Sequence, residues 1–130
     1  MRDLPIRIVL ADDVQQWRAL IKIILELDGR LVIVGEAADG KEAVELSRTL
    51  HPDVVLIDLA MPEMDGLQAI PEIRAAVPDA AIVVLSGFAR AQLEAQALAQ
   101  GADAYLEKSE APARIVAEVE RLAGLELADA

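Results

Sequence analysis

Short apolar runs alternate with longer stretches of helical period along the chain. Residues 6–11 (IRIVLA) read as a strand. Residues 14–27 carry Trp17, Leu20, Ile21, Ile24 and Leu25 at the spacing of one helical face, and Gly29 ends that stretch. Residues 31–37 read as a second strand, Asp39-Gly40 as a turn, and residues 41–50 as a helix with Ala43, Val44, Leu46 and Leu50 inward. After Pro52-Asp53, residues 54–58 are apolar until the final aspartate, as in a central strand buried on both faces. Residues 67–77 are helical, 81–86 a buried strand, 91–100 a helix closed by Gly101, and 104–107 a short strand. Pro112 suits the first turn of a last helix that runs to about Gly124. Pro71 conflicts with the third helix, because it removes a backbone donor and clashes with the preceding turn. The pattern favours a helix that starts late, near Pro71, over a kinked one.

Five strand–helix units in strict alternation predict an α/β fold. The sheet is five-stranded, parallel and doubly wound, (βα)5, with right-handed crossovers and helices on both faces. No linker or low-complexity segment interrupts the pattern, so residues 1–130 read as a single domain with its core at about 5–124 and a frayed tail, LELADA. With 55% hydrophobic residues but one Trp, one Tyr and one Phe, the core must be built from Val, Leu, Ile and Ala.

The formal net charge of −11 argues against direct nucleic-acid binding, which needs clustered Lys and Arg, and against an anionic membrane surface. It is compatible with binding a cation. The absence of cysteine excludes disulfides and zinc–thiolate sites. The apolar run near the N-terminus is too short for a signal peptide or a membrane span, so a cytoplasmic location is expected by default.

In open parallel sheets, ligands bind beyond the carboxyl ends of the strands. There the first strand delivers Asp12 and Asp13, the third Asp58, the fourth Ser86-Gly87 and the fifth Glu107-Lys108. Crowded carboxylates repel, and a hard divalent cation removes that problem. Mg²⁺ is the expected ion, with Mn²⁺ as an alternative; it takes oxygen ligands in an octahedron and keeps several waters. Asp13 and Asp58 are candidate direct ligands. Asp12 can act directly or through water, and the backbone carbonyl of Ala60 can supply a further oxygen. Asp58 is then placed as a nucleophile toward phosphorus, with the ion and Lys108 neutralising the phosphoryl oxygens and Ser86 donating to them.

The stretches ADD (11–13), VVLIDLAMPEMDG (54–66), VVLSG (83–87) and GADAYLEK (101–108) resemble the receiver domains of bacterial two-component response regulators, whose fold is flavodoxin-like, or CheY-like. The resemblance implies that a sensor histidine kinase or a histidine phosphotransfer protein presents phosphohistidine and that Asp58 takes the phosphoryl group. It implies that Asp12 and Asp13 are the acidic pair, Lys108 the phosphate-binding lysine, Ser86 the switch hydroxyl and Tyr105 the switch aromatic. Pro62 and Gly66 would shape the loop after the acceptor, which includes Asp65. On phosphorylation Ser86 would move, dragging the segment from Gly87 to Arg90, and Tyr105 would turn inward. The face of the fourth helix, fifth strand and fifth helix would then change to control an output, with a homodimer through that face as a further expectation. Such a chain is a phosphoacceptor rather than a turnover enzyme. Ser109 stands where many members have proline, Gly87 replaces a commoner alanine, and Ala60 and Phe88 occupy positions that tune dephosphorylation in the family. The YLEKS segment is similar to receivers that precede a helix-turn-helix module.

Plainer readings exist for several residues. Asp12-Asp13 can cap a helix, Tyr105 can be a half-buried strand aromatic, Trp17 reads as packing near the site, and His51 as a surface residue without a catalytic role. Three rival functions also fit in part. A Mg²⁺-dependent aspartyl phosphatase usually wants a second acid where Ala60 stands, together with a cap domain. A receiver-like module that no longer phosphorylates would not need the full acidic set and Lys108. A flavin mononucleotide binder would need a phosphate-cradling loop where Asp12 and Asp13 repel phosphate.

Overall fold

The sheet alternates its side chains between two buried faces. The computed structural model describes residues 5–27, 29–87 and 91–124, without the side chains of residues 91 and 92. The expectations for Phe88, for the segment up to Arg90 and for the tail at 125–130 lie outside the described residues. Strands β1 (Ile6–Ala11), β2 (Leu31–Ala37), β3 (Val54–Ile57), β4 (Ala81–Ser86) and β5 (Ala104–Glu107) are all parallel, in the order β2-β1-β3-β4-β5. Helices α1 (Gln15–Glu26), α2 (Gly40–Leu50), α3 (Gly66–Ala76), α4 (Ala91–Gln100) and α5 (Pro112–Leu122) connect and cover them.

The two-residue period sorts the core. Ile6, Ile8, Leu10, Val54, Leu56, Val83, Leu85 and Leu106 pack with Ile21 and Leu25 of α1 and Ile115 and Val119 of α5. Val9, Ala11, Val55, Ile57, Ile82, Val84 and Tyr105 pack with Ala43, Val44, Ala69, Ile70, Ile73 and Ala97 of α2, α3 and α4. Strands buried on both sides explain the near-continuous apolar runs. Burying each large aliphatic side chain contributes about 1.5–3 kcal/mol.

The sheet and helix ranges match the expected alternation, with two departures inside helices. Helix α3 does not start late. It begins at Gly66, and Pro71 lies within it. Asp65 and Gln68 form a reciprocal capping box, Gln68 N–H to Asp65 Oδ1 at 2.9 Å and Asp65 N–H to Gln68 Oε1 at 3.1 Å. That box supplies the start, and Pro71 sits one turn further on the exposed side of the helix. On α1, Leu20 is not part of the inward face: it is 49% exposed, while Ile21 and Leu25 are buried.

The loop from β3 to α3 is clamped at two glycines. Gly40 N–H donates to the Met64 carbonyl at 2.7 Å, and a Cβ at position 40 would lie 2.1 Å from that oxygen. Gly66 N–H donates to the Leu59 carbonyl at 3.0 Å, and a Cβ at 66 would lie 2.4 Å from the Asp58 carbonyl oxygen. Backbone blocks both sites, so no side-chain rotation relieves the clash. Gly40→Ala is therefore expected to lower unfolding free energy by about 2–4 kcal/mol, whereas Gly87→Ala, which meets nothing within 4 Å, should change it by less than about 1 kcal/mol. Urea unfolding of the two variants checks this; equal midpoints would contradict the clamp.

Candidate functional site

Backbone bonds carry the ladder one residue beyond the strands and so set the acidic residues side by side. Asp12 N–H donates to the Ala37 carbonyl and Asp58 N–H to the Ala11 carbonyl, each at 2.9 Å. Both side chains follow at the edge where strand order reverses between β1 and β3. Asp12 is 1% and Asp58 5% exposed, while Asp13 is exposed. Carboxylate oxygens of Asp12, Asp13 and Asp58 all lie within 4.8 Å of one another. Across a Mg²⁺ octahedron, opposite ligand atoms are about 4.2 Å apart. The acidic cluster can thus bind a metal ion with small side-chain adjustments.

Lys108 reaches in from the turn after β5. Its Nζ lies 2.5 Å from Asp12 Oδ2 and 3.3 Å from Asp58 Oδ2. The Lys108 N–H donates to the Ser86 carbonyl at 2.8 Å, which ties the lysine to the end of β4. Ser86 itself is fully buried, two residues beyond Val84, the partner of Ile57. Asp58 Oδ1 accepts from the Ala60 N–H at 3.3 Å. Burial raises the Asp58 carboxyl above its ordinary value; Lys108 opposes that shift and Asp12 adds to it. Burial alone would lower the Lys108 ammonium, but its bonds and charge interactions with Asp12 and Asp58 prevail and hold it above its usual value.

The plainer readings resolve in part. Asp12 does take a local bond, its Oδ1 accepting from the Val14 N–H at 2.8 Å, and α1 has no side-chain cap at Val14. The turn that opens α1 and the ion pair with Lys108 therefore use the two oxygens of one carboxylate. Tyr105 is not half-buried: at 4% exposure its ring lies inside, among residues facing α2, α3 and α4. Asp65 caps α3. Asp13, Ala60, Met61, Pro62, Asp65, Leu67 and Leu93 line an open groove of ≈ 710 Å³ beside the cluster.

Three contributors were not legible in the sequence as site residues. Gly40 holds the loop after Asp58 through Met64. Arg18 donates from Nη1 to the Asp12 carbonyl and pairs with Glu36 at 3.1 Å. The Trp17 ring centroid lies 5.0 Å from Lys108 Nζ. The only sequence signal for the last two is their place in the first turn after the acidic pair.

A doubly wound sheet with this edge defines a CheY-like receiver. The chain belongs to the response regulator receiver domain family, whose sequence pattern matches residues 8–120. It is 37% identical over 110 residues to the chemotaxis protein CheY of Thermotoga maritima, covering 85% of this chain and 91% of that one. The receiver domain of the putative response regulator NarL from Mycobacterium tuberculosis superposes with a TM-score of 0.88 at 35% identity, over 93% of this chain and 98% of that one. A response regulator from Burkholderia pseudomallei, solved with a phosphorylated aspartic acid, a calcium ion and citrate, matches with a TM-score of 0.80 at 28% identity, over 90% of this chain and 68% of that one. The chain spans about a third to a half of several longer curated relatives, one of them a protein-glutamate methylesterase of Myxococcus xanthus. Among the described residues, no helix is long and apolar enough to cross a membrane.

The raised Asp58 carboxyl has a sign that can be measured. A carboxyl whose folded value exceeds its unfolded one leaves stability intact at low pH and loses it as pH rises through the folded value. Metal-free Asp58→Asn should therefore melt higher than wild type at neutral pH, with the gap shrinking as pH falls toward the ordinary value of 3.8. Calorimetric midpoints from pH 4 to 8 test it; a gap that grows on acidification would reverse the assignment.

Proposed function

We propose that this receiver takes a phosphoryl group on Asp58 from a phosphohistidine of a sensor kinase or phosphotransfer protein, in the cytoplasm. The observation that carries the reading is the convergence of Lys108 on a buried Asp58 within reach of Asp12 and Asp13. Asp58 oxygen attacks phosphorus as the bond from phosphorus to the imidazole nitrogen breaks, its electron pair staying on that nitrogen. Lys108 stabilises charge on the phosphoryl oxygens, and Ser86 donates to one of them once transfer is complete. Asp12, Asp13, Asp58 and the Ala60 carbonyl would hold Mg²⁺, which supplies further positive charge to the same oxygens when bound. The phosphorylated aspartate and calcium ion in the Burkholderia pseudomallei relative support this assignment by likeness.

The output would run through α4, β5 and α5. A near-complete population shift needs about 5.5 kcal/mol of differential stabilisation, which a few charge-assisted hydrogen bonds can supply. The Tyr105 ring is buried among residues facing α2, α3 and α4, and the motion would begin at Ser86 and Gly87. A homodimer through the same face, or an effector domain as in the longer relatives, would read it. We read the chain as a single receiver domain and as a phosphoacceptor without turnover of small substrates.

Incubation with Mg²⁺ and acetyl phosphate, followed by intact mass, should add one phosphoryl group to wild type and none to Asp58→Asn. An adduct of equal yield in the variant would refute the acceptor, and sustained turnover of a phosphomonoester would favour the phosphatase reading. Mg²⁺ at about a hundred times its Kd should also stabilise the wild type by about 2.7 kcal/mol. Asp13→Asn should lose most of that gain in a thermal melt.

A further inference from the structure

Lys108 has a third partner besides the two carboxylates. Its ammonium lies 5.0 Å from the centroid of the Trp17 ring, within the range of a cation–π contact. The tryptophan is half-buried and packs against the apolar cluster beneath α1 and α5, so the ring is held by the core. Its helix is anchored at the acidic pair: Val14 N–H bonds Asp12 Oδ1, and Arg18 bonds the Asp12 carbonyl. One turn of chain therefore fixes both the anion that the ammonium prefers, Asp12 at 2.5 Å, and an aromatic platform beside it.

We propose that Trp17 is a positioning residue that keeps the Lys108 ammonium at the acceptor when its carboxylate partners are engaged elsewhere. The inference rests on the function proposed above. Asp12 cannot serve a divalent cation and the ammonium equally well with the same oxygen. An ammonium that loses Asp12 would swing into water, as a flexible lysine stem permits. A π face attracts the cation without competing for the metal, because it carries no oxygen donor. The ammonium then stays within reach of Asp58 and of the phosphoryl oxygens that develop charge there. Position 17 would thus set the rate of phosphoryl uptake through Lys108 without touching the phosphodonor.

The test uses the full chain with acetyl phosphate and Mg²⁺, in wild type, Trp17→Leu, Trp17→Phe, Lys108→Met and the Trp17→Leu/Lys108→Met pair. Trp17→Leu should lower the saturated phosphorylation rate by about tenfold, with the half-saturating donor concentration little changed, and Trp17→Phe should recover most of it. In the Lys108→Met background, Trp17→Leu should have no further effect, as for two residues acting through one contact. An equal effect in both backgrounds, or equal loss in the Phe and Leu variants, would reduce Trp17 to packing and overturn the proposal. As the only tryptophan, Trp17 also reports the contact without any phosphodonor. Lys108→Met should shift its emission, and an unchanged spectrum would show that the contact is absent. A wild type that takes no phosphoryl group would sink the proposed function and this role together. A wild type that is phosphorylated normally, with Trp17→Leu at the same rate, would sink this role alone.

Discussion

A single ammonium stands between two buried carboxylates at the edge of the sheet: Lys108 lies 2.5 Å from Asp12 and 3.3 Å from Asp58. Burial raises the Asp58 carboxyl, and the Asp12 carboxylate beside it adds to that shift. Lys108 offsets part of it, yet the Asp58 carboxyl still sits above its ordinary value. The site is thus short of positive charge. Three carboxylates facing one ammonium favour the binding of a cation there.

The opposite edge of the sheet is closed by side-chain hydrogen bonds to backbone carbonyls. There Arg74 of α3 donates to the carbonyls of Ala80 at 2.6 Å and Gly101 at 2.8 Å, and to Asp103 Oδ2 at 2.7 Å. Asp103 Oδ2 in turn accepts from the Ile82 N–H at 2.8 Å. Arg7 similarly donates to the Leu50 and His51 carbonyls at the end of α2. At the amino-terminal edge the polar groups complete one another's hydrogen bonds. At the carboxyl edge they are left with charge to spare, as expected where function competes with stability.

The loop after Asp58 links the two kinds of order. It returns over the strand end because Gly66 admits the Asp58 and Leu59 backbone, and it rests on α2 because Gly40 admits Met64. Glu63, with φ at 64°, takes the left-handed turn inside it. This geometry sets Ala60 beside Asp58, where its N–H meets Asp58 Oδ1. The groove that opens next to it is lined by Ala60 together with Asp13 and Leu93.

The sequence by itself determined the alternation, the parallel sheet and the four strand ends that carry polar residues. Those signals are local: an apolar run of strand length, a helical period, a turn residue, a carboxylate after Ile57. It misplaced what depends on competition or on distance. Pro71 argued for a late helix, but the Asp65–Gln68 box three to six residues earlier outweighs one missing donor. Leu20 has the spacing of a core residue, yet α1 turns Ile21 and Leu25 inward and leaves Leu20 half exposed. Tyr105 reads as half-buried from its strand, and only the helices laid over that face enclose it. Gly40 and Met64, twenty-four positions apart, and Trp17 and Lys108, ninety-one apart, become partners only when the crossovers fold the chain back on itself. Which residues are polar at an edge is a property of short segments. Which of them touch is set by strand order and packing, which no segment contains.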